Sequence, residues 1–152
     1  MRGQQSHLGA SRRRRTVVAV LTERMHKSRL AGFIIDCRTD DLDGAARFWS
    51  AALGMRSRGQ DGEAYVRLDA SARDLSVEVQ SVKHGSRVHL DIETDNVEAE
   101  VRRLERLGAK RITQASTWWV LEAPTGQRFC VVKTHHPDAH GFSTWDDEGN
   151  PV

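Results

Sequence analysis

From Leu30 onward, apolar and polar positions follow one pattern twice. The first helical stripe runs from about Leu42 to Leu53, where Ala45, Phe48, Trp49, Ala52 and Leu53 recur at the three- and four-residue spacing of one helix face. The second runs from about Asn96 to Leu107, with Val97, Val101, Leu104 and Leu107 as the stripe and Glu98, Glu100, Arg102, Arg103 and Arg106 as the solvated side. The start signals match: Asp40 precedes Asp43 by three residues and Asp95 precedes Glu98 by three, which predicts a side-chain N-cap and an acid near the positive helix end. Both stripes end in Leu-Gly, at Gly54 and Gly108, where glycine suits a left-handed cap.

Each helix follows one predicted strand and precedes three. Ala31 to Cys37 and Arg87 to Glu93 come before the helices. Arg56–Arg58, Ala64–Leu68 and Leu75–Gln80 follow the first; Lys110–Thr113, Thr117–Glu122 and Arg128–Lys133 follow the second, separated by Gly, Asp and Pro turns. The reading is βαβββ twice, an α+β fold. Alternation then sorts the strand residues by face. Leu75, Val77, Val79, Val88, Leu90, Ile92, Phe129 and Val131 form the apolar face that packs on helices. Glu78, Gln80, Arg87, His89, Asp91, Arg128 and Cys130 form the polar one, which either curves around a pocket or lies open to solvent.

Composition narrows the class. A chain of 152 residues with 38% hydrophobic and 29% charged residues suits one globular domain with tails. The expected layout is a basic, disordered leader over residues 1–28, a domain over 29–134 and a flexible tail over 135–152. Eight of the 23 Lys and Arg, but only Glu23 among the 21 acidic residues, fall in the first 29 positions, so the remainder is mildly acidic and unlike a nucleic-acid-binding domain. Arg12–Arg15 followed by Thr16–Leu21 resembles a targeting segment, but its apolar run is too short for a signal sequence or a membrane span, and Met25 offers an alternative start. Cys37 and Cys130 lie in strand-like runs and are expected as reduced thiols in a cytoplasmic protein. His135, His136 and His140 lie in the tail, where spacing without a scaffold points to no metal. A glycine-rich phosphate loop and a Gly-x-Ser-x-Gly elbow are missing, which disfavours a nucleotide enzyme or a serine hydrolase.

Leu42-Asp43-Gly44-Ala45-Ala46-Arg47-Phe48-Trp49 with Ala52-Leu53-Gly54 resembles the first-helix signature of glyoxalase-like domains of the vicinal oxygen chelate superfamily, which also includes bleomycin resistance proteins and dioxygenases. His89-Leu90-Asp91-Ile92, Leu107-Gly108-Ala109 and Ala123 to Cys130 resemble the second half. The resemblance, over about Arg29 to Lys133, implies two tandem βαβββ modules whose curved mixed sheets surround a pocket, with helices outside, and often a dimer. It also implies a divalent metal held by four positions, one on each outer strand of the two halves. Counting back six residues from each expected cap puts Ile34 at the first position and His89 at the third; Glu78 is the best candidate for the second, and Cys130 falls at the fourth. Ile34 supplies no ligand, so the expectation is no metal and no other cofactor. A divalent metal, if held, falls to Glu78, His89 and Cys130 as a mixed O/N/S set.

His89, between Arg87 and Asp91, is the candidate acid/base. Asp36, Glu78, Gln80, Asp91, Trp119, Arg128 and Cys130 are the expected pocket residues. Of the adjacent Trp118 and Trp119, one must face the core and one the pocket; Asp36 and Asp91 also suit a structural role in tying the halves together. Two functions compete: a metal-free protein that binds a small molecule, and a lyase or isomerase using His89 with Glu78 or Asp91. The expected partners are a small-molecule ligand and a second copy of the chain, with no nucleic acid and no membrane.

Overall fold

A computed structural model describes residues 25–152. The first half comprises β1 (His26–Cys37), α1 (Leu42–Leu53), β2 (Ser57–Asp61), β3 (Tyr65–Leu68) and β4 (Ser76–Ser81). The second comprises β5 (Arg87–Thr94), α2 (Val97–Arg106), β6 (Lys110–Ala115), β7 (Trp118–Glu122) and β8 (Arg128–Lys133), and a short β9 (Ser143–Trp145) follows. The nine strands among the described residues join one open mixed sheet in the order β2-β3-β4-β1-β5-β8-β7-β6, with β9 on β1. In each half the first and last strands pair in parallel, β1 with β4 and β5 with β8. The halves meet where β1 and β5 pair antiparallel, with Ile34 opposite His89. The paired βαβββ reading therefore holds.

The helices occupy one face and make two cores. Leu42, Ala45, Trp49 and Leu53 of α1 pack on Ile35, Met55, Leu68, Val77 and Val79. Val97, Val101 and Leu104 of α2 pack on Leu121, Val131, Ile92, Trp119 and Phe129. The strand alternation thus sorts the faces as expected. Three stripe residues do not: Phe48, Ala52 and Leu107 are exposed, because each sits at the edge of its stripe. Phe48 instead meets the Trp49 ring edge-on at 5.1 Å. Between the helices, the outer face of β1 and β5 leaves Leu30, Val88 and Leu90 half uncovered.

The caps shift by one residue. Asp41, not Asp40, accepts from the Gly44 amide at the start of α1, and Asp40 pairs with Lys83. Asn96, not Asp95, accepts from the Ala99 amide, while Asp95 accepts from the Lys27 amide and ties α2's entry to β1. Gly54 and Gly108 do adopt positive φ, at 64° and 99°. Gly32 marks a bulge in β1, where an added Cβ would lie 1.8 Å from the Ser76 carbonyl oxygen, so the close β1–β4 approach requires glycine.

The ends differ most from expectation. The sheet starts at His26, inside the expected leader, whose residues 1–24 lie outside the described residues. The expected flexible tail returns to the sheet: His26, Lys27 and Ser28 pair with Trp145, Thr144 and Ser143. Glu100, expected in solvent, is fully buried beneath this return, bonded to His26 at 2.8 Å and twice to Arg103. The Arg103 guanidinium lies 3.8 Å from the centre of the Trp145 ring, and the Trp145 indole N–H donates to Ser28. Among the described residues, no helix is long and apolar enough to cross a membrane.

Candidate functional site

The face opposite the helices carries the polar set. Its strands curve around a cavity of about 600 Å³ lined by Ile34, Glu78, His89, Asp91, Trp118, Cys130 and the β2–β3 hairpin residues Asp61 to Tyr65, among others. A second lobe of about 230 Å³ shares Tyr65, His89, Trp118 and Cys130 and is lined further by Asp36, Gln80, His84, Arg87 and Arg128. Register explains the convergence. Ile34 lies beside Glu78 and His89, Asp36 beside Gln80 and Arg87, and Asp91 beside Cys130, so three neighbouring rungs point their polar side chains the same way. These residues sit on the first and last strands of each half in chain order, which come together as the four central strands of the sheet.

Asp36 anchors the site from below. It is 1% exposed, and its Oδ2 accepts from His89 Nδ1 at 2.9 Å and from Arg87 Nε at 3.2 Å, with His84 at 3.8 Å. Burial opposes its ionisation, but the bonds and charges of His89, Arg87 and His84 outweigh that and hold its carboxyl below the ordinary value. A carboxylate at Nδ1 keeps the imidazole proton there and turns Nε2 to the cavity. His89 Nε2 lies 3.6 Å from Asp91 Oδ1.

Asp91 is the odd member. Burial pushes its carboxyl up to about 6 against the lowering charge of His89, and the carboxylates of Glu78 and Asp36 add to the rise. Asp91 Oδ1 and Asp36 Oδ1 are both buried without a hydrogen-bond partner among the described residues. Cys130, beside Asp91, is held as the thiol: burial and then the Asp91 charge push it up to about 12. Glu78 and Asp61 share Arg67, at 3.3 and 2.5 Å. Gln80 donates to the Tyr65 hydroxyl at 2.7 Å, and Arg128 forms a rim pair with Glu122 at 2.9 Å.

One expected pocket residue is misplaced. Trp119 packs into the α2 core, with the Arg111 guanidinium 4.8 Å from its ring centre, and Trp118 is the tryptophan that lines the cavity. Trp119 pairs with Val131, a core residue, so it shares the helix face. Tyr65 belongs to the site and was not singled out from sequence; its parity with Arg67, and the cross-strand pairing with Gln80, are the signals that reveal it.

The donor set for a metal also changes. His89, Asp91 and Cys130 bring a nitrogen, an oxygen and a sulfur within 4.8 Å of one another, whereas Glu78, expected as a ligand, stands outside this group. The donor types suit zinc, and the unpartnered Asp91 Oδ1 and the Asp36-oriented His89 suit a ligand role. These three residues would hold the ion at the cavity floor, where it would act as a Lewis acid. Among the described residues, the tail histidines join no such group.

A family model described as "Glyoxalase-like domain" matches residues 32–132. Comparison with curated proteins finds no match. Among solved structures, hypothetical protein BH1468 from Bacillus halodurans C-125 is similar at 12% identity, covering 75% of this chain and 99% of its own, with a TM-score of 0.57. A protein titled NAD-dependent benzaldehyde dehydrogenase from Legionella pneumophila shares 11% identity over 66% of this chain and 97% of its own, at 0.51. Methylmalonyl-CoA epimerase from Mycobacterium tuberculosis shares 14% identity over 68% and 86%, at 0.50. At these identities the structures speak for the fold alone. Because the family model runs from the β1 bulge through the last residues of β8, and so takes in both halves and every strand that lines the cavity, the chain belongs to the glyoxalase-like domain family of the vicinal oxygen chelate superfamily.

Proposed function

We propose that this chain binds a small organic molecule in the cavity between its two halves, with Asp36, Glu78, Gln80, Asp91, Arg128 and Cys130 as polar wall and Trp118, in place of Trp119, as aromatic wall. The observation that carries this reading is the cavity itself. Its volume of about 600 Å³ lies within the range of ligand sites, and its floor holds polar atoms left without partners. A thermal-shift screen of small molecules tests this, since binding to the folded state alone must raise the melting temperature by mass action. Trp118→Ala should abolish the shift. A shift that survives in this variant counts against the cavity as the binding place.

A second reading, a lyase or isomerase, is favoured by the orientation of His89. Asp36 fixes its Nδ1 and leaves Nε2 beside Asp91, an arrangement suited to moving a proton at a bound carbon acid. Exchange of a ligand C–H with deuterated water, lost in His89→Gln while binding persists, is its signature. In both readings the protein works without a required metal, in the cytoplasm, where Cys37 and Cys130 stay unpaired. The half-uncovered Leu30, Val88 and Leu90 support a homodimer across the outer face of β1 and β5, which sedimentation of Leu90→Lys against the parent chain would check.

A further inference from the structure

The two lobes of the cavity differ in charge. The larger is lined by Asp61, Glu63, Glu78 and Asp91, and by no Lys or Arg among the described residues. The smaller holds Arg87 and Arg128, each already paired with a carboxylate. Arg67, on the same strand face as Tyr65, pairs with both Asp61 and Glu78, but one guanidinium balances one of those two charges. Glu63, at the exposed β2–β3 turn, has no cation partner among the described residues. Asp91 has His89 Nε2 at 3.6 Å and the Cys130 thiol beside it, but no Lys or Arg pairs with it among the described residues. The larger lobe therefore carries an excess of carboxylates over cations, in a lining that also holds the rings of Tyr65 and Trp118.

We propose that the ligand is an organic cation, a protonated amine on an apolar or aromatic body, whose ammonium sits against Asp91 and whose body lies between Tyr65 and Trp118. This rests on the reading of the cavity as a ligand site and assigns its chemical class. An ammonium supplies N–H donors to the Asp91 carboxylate, which lines the lobe. Its charge offsets the excess carboxylates, and the aromatic walls attract a cation through their ring faces. An anionic ligand would meet Glu63, Glu78 and Asp91 before any arginine, so the charge pattern also excludes the wrong partner.

The test compares three probes of one shape, phenylpropylamine, phenylpropanol and phenylpropionate, by titration calorimetry on the full chain after treatment with EDTA. The amine should bind about tenfold or more tighter than the alcohol, with the carboxylate weakest, and lose affinity as salt rises. Asp91→Asn should weaken the amine about tenfold and leave the alcohol unchanged. Glu63→Gln, on an exposed turn where folding is not at stake, should weaken it about twofold, and it decides the matter if Asp91→Asn misfolds. Equal or tighter binding of the alcohol or the carboxylate overturns the charge assignment and leaves the cavity reading standing. Binding of none of the three overturns both. A preference for the amine that appears only with added zinc assigns the carboxylate to a metal and also overturns the proposal.

Discussion

Two buried carboxylates, each beside a histidine and an arginine, occupy opposite faces of the same sheet. Glu100 lies under the β9 return with His26 and Arg103, and both of its oxygens are bonded. Asp36 lies under the cavity with His89 and Arg87, but these partners share its Oδ2, and Oδ1 accepts nothing among the described residues. The first cluster is closed over by Trp145; the second opens, through His89, onto Asp91 and the cavity. A satisfied network rigidifies, whereas a partly satisfied one retains an unfilled acceptor that a ligand can use. The same residue types thus make a rivet on one face and a receptive floor on the other.

Removing the rivet should have the largest effect. Glu100→Ala strands His26 and Arg103 in the interior and should cost about 3–5 kcal/mol, measured by urea unfolding, the usual penalty for breaking a buried pair. The cavity should keep its ligand affinity wherever the variant remains folded, and a large loss of affinity would break the separation between the faces. The pH dependence follows from the same group. Burial opposes Glu100 ionisation, but the bonds from Arg103 and His26 overcome it and leave the carboxyl below its ordinary value of 4.5. The contribution is therefore present above the unfolded value and lost as the pH falls through the folded one. Stability should drop in that acid window for the parent chain and much less so for Glu100→Gln.

The two faces were unequally legible. Helix stripes, Leu-Gly stops and strand alternation lie in local periodicity, so both βαβββ halves and the cavity face of Glu78, His89, Asp91 and Cys130 could be read from the chain. Glu100 could not: it sits at the edge of a charged helix face, and only the return of β9, a contact from the far end of the chain, turns that edge inward. The three residues of β9 lie among Gly, Pro and acidic residues and carry no strand pattern long enough to notice. The Trp118–Trp119 choice failed for a similar reason. Alternation says that the two rings diverge, but the sign is set by the pairing of Trp119 with Val131, a relation between strands. Of the conditional metal ligands, His89 and Cys130 were legible by parity, whereas Asp91 joins them through its register with Cys130 and Glu78 aligns with Ile34 instead.

That tryptophan pair offers the next, smaller contrast. Trp119 is part of the α2 core and stacks under Arg111, so Trp119→Ala should cost about 2–3 kcal/mol, less than a fully buried aromatic because the ring is only half buried. Trp118→Ala removes a cavity wall and should cost under about 1 kcal/mol while abolishing ligand-induced stabilisation. Denaturant midpoints with and without ligand separate the two. If Trp118→Ala proved the more destabilising, the assignment of one ring to core and one to cavity would be reversed.

The last effect has the opposite sign and bears most directly on the difference between the faces. Asp91 is held near the cavity floor with its carboxyl pushed up to about 6, so at neutral pH the fold carries a charge that its surroundings resist. Asp91→Asn removes that charge. The variant should be more stable than the parent at pH 7, by about 1–2 kcal/mol once solvent screening of this partly exposed group is allowed for. It should bind ligand more weakly. A gain in stability joined to a loss of binding marks a group kept for function at the expense of the fold. Glu100→Gln must do neither, because nothing at that site waits for a partner. Should Asp91→Asn destabilise the chain as Glu100→Ala does, Asp91 would be a second rivet, and the cavity floor would lose its claim to be different.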